Sequence, residues 1–294
     1  MLADQKTPVC VLCGSKAVFY CRKEGASYYR SRECGLIFQN PLPSREEMVS
    51  HADEEYGSGV YKEYVEAKDL KYATFEARLP IVQGALAGRS PQVLDVGCGC
   101  GYFIDVALEH EIDAHGVEFS AEAISAASPQ ARPRIVHGNV NALDKESMGS
   151  FDGVTAFDII EHTEDPVAFL EEIAGVLRPG GALVLTTPDT GHFLRSLMRS
   201  RWPMLQPLQH TFLFSRRALD MALRAAGFSM ISMTKAKKVM TLDYLMGQIS
   251  IHNPGIVRIY ESTSRLIPSR LATKRFSVNI GEIMAVATLS ERLS

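Results

Sequence analysis

The sequence predicts an α/β fold: a mostly parallel sheet of seven strands with helices on both faces, preceded by a small cysteine-rich module. Three observations predict it. From residue 91 onward, short apolar runs of strand length alternate with helical patterns, the order that builds a parallel sheet. The first of these runs passes through a glycine-rich turn into a helix. Four of the six cysteines, Cys10, Cys13, Cys21 and Cys34, fall at the N-terminal end.

Residues 1–43 form a unit by composition, rich in cysteine, aromatic and turn residues and closed by Asn40-Pro41-Leu42-Pro43. Residues 44–90 read as a helical linker or cap. Ser44-Arg45-Glu46-Glu47 has the form of a capping box, in which the Ser and Glu side chains answer each other's backbone N–H. A tyrosine-rich run, Tyr56, Tyr61, Tyr64 and Tyr72, follows. Residues 91–294 form the main domain. Its expected strands are Val93–Val96, His115–Val117, Ile135–Val136, Val154–Phe157 and Ala182–Thr186, with helices near 101–110, 120–127, 165–177 and 215–226. Arg178-Pro179-Gly180-Gly181 is a helix stop. Two more strands are expected at Phe228–Thr234 and Glu282–Leu289. The stretch between them, about 237–275, is too long for a simple loop and reads as a helical insertion.

The chain of 294 residues is 46% apolar and 22% charged, a globular composition that excludes disorder, collagen-like repeats and a coiled coil as global descriptions. No stretch approaches the ~20 apolar residues of a membrane span, and MLADQKTPVC lacks the apolar core of a secretion signal, so the expected compartment is the cytoplasm. The net charge of -3 hides an asymmetry: residues 1–189 carry 16 Lys/Arg against 29 Asp/Glu, and residues 190–294 carry 15 against 5. Either the two parts attract each other, or the C-terminal third meets an anionic partner such as a phosphate, nucleotide or nucleic acid. Without a secretion signal, metal binding rather than a disulfide framework is the first reading of the N-terminal cysteines.

The strongest signal is Gln92-Val93-Leu94-Asp95-Val96-Gly97-Cys98-Gly99-Cys100-Gly101-Tyr102-Phe103. Gly97, Gly99 and Gly101 permit backbone conformations and close approach that a Cβ would block. A dinucleotide turn has G-x-G-x-x-G spacing, whereas this is G-x-G-x-G with an acid two residues ahead. That acid, Asp95, repels a pyrophosphate and suits an ammonium group. Glu118 ends the next strand, where a carboxylate can accept both hydroxyls of a ribose. The set asks for a nucleoside carrying a cationic amino-acid tail, and S-adenosylmethionine has that shape.

Over roughly 90–236 the sequence resembles the class I S-adenosylmethionine-dependent methyltransferases, with a likeness to the methyltransferase types 11, 12 and 23 and to ubiquinone-pathway O-methyltransferases. Leu94 to Phe103 looks like their first motif, with Cys100 where Thr or Ser is commoner. Gly116-Val117-Glu118-Phe119-Ser120 looks like the ribose motif. His137-Gly138-Asn139-Val140 matches the adenine position, with Asn139 for the commoner Asp. Phe151 to His162 matches the fourth motif, and Leu177 to Asp189 the late one. The resemblance implies a Rossmann-like methyltransferase fold and cofactor contacts from Asp95, Gly97, Gly99, Gly101, Glu118, Asn139 and Asp158. An Asn can still pair with an adenine amine through its side-chain oxygen.

Methyl transfer is an in-line displacement that rests on alignment, with a base needed for a hydroxyl or a protonated amine. His162 follows the fourth strand at the carboxyl edge of the sheet. In small-molecule O-methyltransferases similar to this chain a histidine there assists the acceptor; the alternative is a loop-orienting role with Glu161. His210 is the second candidate, in a loop that resembles the one before the family's pocket-capping helix, with Trp202 and Phe212 as expected pocket lining; the alternative is a packing histidine. In the head, Cys10-Val11-Leu12-Cys13 is a zinc half-site and Cys34 looks like the end of a second. The resemblance implies one structural zinc in a zinc-ribbon-like head, but Ser31 stands where a fourth cysteine is usual, which leaves Cys21 to supply the fourth sulfur. A ribbon folded without metal, or a redox role, stays open.

The leading expectation is therefore a methyltransferase acting on a small-molecule or carrier-bound acceptor that the basic C-terminal third allows to be anionic: a sugar, a nucleotide-linked group or a quinone-like ring, with O-methylation favoured. RNA methylation is the alternative, opposed by the lack of a dense basic cluster and of an Asn-Pro-Pro-Tyr-type stretch after the fourth strand. A non-catalytic cofactor-binding assembly protein is the third reading, opposed by the intact glycine turn, Asp95 and Glu118.

Overall fold

A computed structural model of the protein describes residues 7–44, 46–48, 67–86, 90–144, 150–246 and 272–290. Tyr56, Tyr61 and Tyr64, and residues 247–271 of the expected insertion, lie outside them.

The first three strands, β1 (Ala17–Lys23), β2 (Ala26–Ser31) and β3 (Ile37–Gln39), form an antiparallel meander. It is completed from far along the chain by β9 (Phe212–Leu213), which pairs with β3 through Ile37 and Phe38. Tyr28, Ile37, Trp202, Leu205 and Leu213 are fully buried together. Trp202 and Phe212 are therefore not pocket lining: Trp202 glues the 202–213 loop to the head, and Phe212 is sealed in the main core. After the head, the Ser44–Glu47 capping box is present, with Glu47 N–H donating to Ser44 Oγ and Ser44 N–H to the Glu47 carboxylate.

The large sheet comprises β4 (Gln92–Val96), β5 (Asp113–Glu118), β6 (Ile135–His137), β7 (Phe151–Phe157), β8 (Leu177–Pro188), β10 (Phe228–Met240) and β11 (Phe276–Leu289). Their order is β10-β11-β8-β7-β4-β5-β6, and only β11 runs against its neighbours. The helices are α1 (Lys68–Ala85), α2 (Tyr102–Glu109), α3 (Ala121–Ala126), α4 (Pro166–Ala174), α5 (Phe193–Met198) and α6 (Arg216–Ala225). Side chains start several of them: Ser120 caps α3, Asp165 caps α4 with Pro166 at its first position, and Ser215 caps α6, as those residue types do. Leu79 and Val82 of α1 pack with Phe103 and Ile104 of α2. Leu170 and Ile173 of α4 pack with Leu219 and Leu223 of α6 in a second core. Strand succession reverses between β4 and β7, so the crevice for a ligand lies at the carboxyl ends of those two strands.

Three expectations change. The Arg178-Pro179-Gly180-Gly181 stop is drawn into β8, with Gly180 at φ 77° turning the chain back onto the sheet. β10 runs on to Met240, so the expected insertion begins as strand before residues 242–246 turn helical, and β11 starts at Phe276, ahead of the expected Glu282. They pair across the edge, Lys238 with Val278 and Met240 with Phe276, a long-range contact that the local pattern does not announce.

Candidate active site

At the switch point, β4 delivers Asp95 into the interior, 4% exposed, where its carboxylate accepts a hydrogen bond from Thr155 Oγ1 at 2.7 Å. Burial pushes this acid up to about 7. A carboxylate so placed gains most from a cationic partner, the chemistry that an amino-acid ammonium supplies. Gly97, Gly99 and Gly101 all take the left-handed conformation, at φ 68°, 55° and 70°. The turn wraps around Glu118: one carboxylate oxygen accepts from Gly99 N–H at 2.8 Å and the other from Ser120 N–H at 2.9 Å. Burial raises Glu118 while those two N–H groups work to lower it. Each oxygen keeps a second lone pair, enough for two vicinal hydroxyls. Beside it, Gly138 N–H donates to the Glu118 carbonyl, and Asn139 lies exposed with its side-chain oxygen accepting from Asn141 N–H.

The two histidines that the sequence singles out separately are brought face to edge. Their ring centroids are 4.8 Å apart at 75°. His162 sits in the turn Ile160–His162 after β7, and His210 ends the loop that leads into β9. His210 Nδ1 lies 2.7 Å from the Met204 carbonyl, so it must donate there and Nε2 carries the lone pair. Burial holds both rings neutral, with His162 pushed down to about 4 and His210, which also feels His162, to about 3. A carboxylate oxygen of Glu161 and a ring nitrogen of each histidine lie within 4.8 Å of one another. Glu161 is itself buried, raised well above the carboxylate range by burial and by Asp158, and accepts from Thr187 Oγ1 at 2.9 Å.

Asp158 occupies the end of β7 at φ 59°, a conformation non-glycine residues rarely adopt. Its carboxylate accepts from Thr186 Oγ1 at 2.8 Å and pairs with Lys238 at 3.1 Å. Burial alone would raise Asp158, but Lys238 and Arg78 outweigh it and hold the acid well below the usual range. Lys238 also pairs with Glu282, whose other oxygen meets Arg78 Nη2 at 3.4 Å. Sequence reasoning missed Arg78, Lys238 and Glu282. Their one local signal is three charged residues in otherwise apolar or strand-like stretches.

In the head, the sulfur atoms of Cys10, Cys13 and Cys34 lie within 4.8 Å of one another, with Cys10 and Cys34 at 3.6 Å. The hydrogen bond between these two raises Cys10 and lowers Cys34. Ser31 takes the fourth corner, its Oγ 3.2 Å from Cys13 Sγ and 3.0 Å from Ser15 Oγ. Cys21 does not join them. It lies at the far end of β1, four residues beyond Ala17 or roughly 13 Å along a strand, and packs on the Tyr28–Trp202 cluster. Three sulfurs bound to one tetrahedral zinc stand about 3.8 Å apart, so the cysteine triad fits such an ion and Cys21 does not belong to the set.

The sequence profile of a family described as a methyltransferase domain matches residues 66–233. A ubiquinone biosynthesis O-methyltransferase of Psychrobacter arcticus is 37% identical over 109 residues, covering 35% of this chain and 42% of that protein. One from Xanthomonas campestris pv. campestris is 32% identical over 123 residues, covering 40% of this chain and 51% of that protein. The chain spans about half the length of the curated relatives it matches. Among solved structures, Burkholderia thailandensis 1,6-didemethyltoxoflavin-N1-methyltransferase with bound 1,6-didemethyltoxoflavin and S-adenosylhomocysteine shares the fold, with a TM-score of 0.52 at 17% identity over 94% of this chain and 100% of that one.

Proposed function

The chain belongs to the methyltransferase-domain family, and on that premise we propose that it transfers a methyl group from S-adenosylmethionine to a small-molecule acceptor, with a hydroxyl as the favoured target. The observation that carries the reading is Glu118, buried at the carboxyl end of β5 and clamped by Gly99 and Ser120 N–H with lone pairs to spare. In this reading Glu118 holds the ribose hydroxyls, Asp95 the amino-acid ammonium and Asn139 the adenine amine. Gly97, Gly99 and Gly101 let the backbone close on the ligand, and Asp158 borders it. When bound, the cofactor supplies a methyl group made electrophilic by its sulfonium.

The chain's own residues then orient the acceptor and handle its proton. His210, anchored through Nδ1 on Met204, offers Nε2 as the hydrogen-bond acceptor for a hydroxyl, and His162 packs against it to fix the ring. Both rings are held uncharged, so a ring lone pair stays free to accept the proton of a hydroxyl. The likeness to ubiquinone-pathway O-methyltransferases over part of the chain supports O-methylation. Several cations of the basic C-terminal third answer acids of the first part, Arg216 facing Asp189, Lys238 pairing with Asp158 and Arg275 with Asp69, which supports attraction between the two parts over a nucleic-acid surface.

The same reading takes residues 1–43 as a head, 44–90 as a cap and 91–294 as the catalytic domain. It places one zinc on Cys10, Cys13 and Cys34 with the Ser31 hydroxyl at the fourth corner. No described helix is long and apolar enough to cross a membrane, and six free thiols suit the reducing cytoplasm. Calorimetric titration with S-adenosylhomocysteine tests the core of the proposal. One-to-one micromolar binding is expected, with no heat from NADH as the control; silence from both ligands overturns it.

A further inference from the structure

Arg78 is 3% exposed, yet it is poorly answered. A guanidinium carries five N–H donors. Among the described residues Arg78 has one acceptor, Glu282 at 3.4 Å, and its plane lies over the Phe157 ring at 5.2 Å. Its Nε is buried with no hydrogen-bond partner. Buried donors are almost always paired, and an orphan asks for an explanation.

Lys238 stands on the other side of the same Glu282. Its ammonium pairs with Asp158 and Glu282, which uses two of three donors, and its side chain remains 23% exposed. Lys71 of α1 is close to this group as well. The topology fixes where the cluster lies. β10 runs parallel to β8 and β7, so Lys238 near its end, Asp158 after β7, and Glu282 opposite Pro188 at the end of β8 share the carboxyl edge of the sheet. That is the edge that carries the glycine turn and the His162–His210 pair. His210 feels the charges of both Asp158 and Lys238, so the cations lie on the same edge and within electrostatic reach of the proposed proton acceptor.

We propose that Arg78 and Lys238 form an oxyanion subsite that recognises a carboxylate or phosphate on the methyl acceptor. A carboxylate or phosphate presents at least two oxygens, which match the paired donors of Arg78 and the third donor of Lys238. Phe157 beneath the guanidinium holds its plane, and Glu282 tethers both cations without using up their donors. The inference rests on the methyltransferase reading but names what that reading leaves open: the acceptor carries its negative group on the α1 side of the crevice, away from the cysteine head.

The test uses the full chain saturated with S-adenosylhomocysteine and titrates three phenyl-bearing probes: benzoate, phenyl phosphate and, as the neutral isostere of benzoate, benzamide. One of the two anions is expected to bind at least about tenfold more tightly than benzamide, and which one does so identifies the oxyanion. In Arg78→Gln that preference is expected to vanish while affinity for S-adenosylhomocysteine stays as in the wild type. Arg78→Lys, which keeps charge but not the fork, is expected to retain part of it, and Lys238→Met to weaken it. Benzamide binding as well as either anion, no binding of any probe, or a preference that survives Arg78→Gln overturns the subsite. Loss of S-adenosylhomocysteine binding by the wild type would instead strike the methyltransferase reading itself.

Discussion

In an unfolded chain an imidazole takes up a proton near pH 6.5; His162 and His210 are held neutral by burial down to about 4 and about 3. Between pH 6.5 and 4 the unfolded state therefore binds the extra protons, and the folded state loses stability as the pH falls. Buried Asp95 and Glu161, whose acids are raised, act in the opposite sense, so the expected signature is a difference: between pH 7 and pH 5 the thermal midpoint of the wild type loses more, or gains less, than that of the His162→Gln/His210→Gln double variant. Parallel midpoints in the two proteins would show that the rings protonate in place. The same burial keeps His210 Nε2 available at acid pH, so kcat/KM is expected to show no histidine limb near 6.5. Removing the ring in His210→Ala is expected to lower turnover about 10²–10⁴-fold with cofactor affinity retained; wild-type turnover would assign the histidine to packing alone. At this scale the sequence was legible wherever a role follows from a strand end and a short spacing, as for Asp95 and Glu118. It was silent on Arg78, whose partner Glu282 lies on a strand near the other end of the chain, and it could not say that two separately noticed histidines meet.

The glycine turn shows what an element demands of its residues. Gly101 begins α2 at φ 70°, and a Cβ there would lie 2.8 Å from Ala131 Cβ and 3.2 Å from Ile135 Cδ1. Gly180 has a similar φ of 77° but open space around the missing Cβ. Both substitutions by alanine meet the left-handed penalty of roughly 1–2 kcal/mol, and only Gly101→Ala adds a clash with neighbours packed under the turn. Denaturant midpoints are expected to rank Gly101→Ala as the more damaging, and equal losses would mean that the loop at Ala131 and β6 yield to admit a methyl group. Strands with an apolar run between turns, such as β4 and β7, announce themselves locally. The lysine-rich end of β10 does not, because Lys238 is strand only by virtue of Asp158, Glu282 and the partner strand β11. β9 is two residues long and exists because β3 is there to pair with it.

At the scale of the molecule, the head is wired to the pocket through that short strand. Gln39 N–H donates to the Thr211 carbonyl, Thr211 N–H to the Glu161 carbonyl, and Thr211 Oγ1 to the Thr163 carbonyl, so β3 holds the backbone on both sides of the histidine pair. Ser215, the cap of α6, donates its hydroxyl to the Cys34 carbonyl, and Trp202 closes the seam. The glycine turn and Glu118, by contrast, make their hydrogen bonds within the large sheet. Anything that loosens the thiol cluster should therefore reach His210 before it reaches the cofactor. If one zinc ties Cys10, Cys13 and Cys34, protein purified without chelator is expected to carry close to one equivalent. Stripping it should lower the thermal midpoint and kcat together while S-adenosylhomocysteine binding is largely kept, since structural zinc contributes directly to folding free energy. Zinc below about a tenth of an equivalent in active protein would assign the cluster's cohesion to the Cys10–Cys34 and Cys13–Ser31–Ser15 hydrogen bonds instead. A Cys34→Ser variant would then be expected to disturb turnover through β3 and β9 with no metal involved.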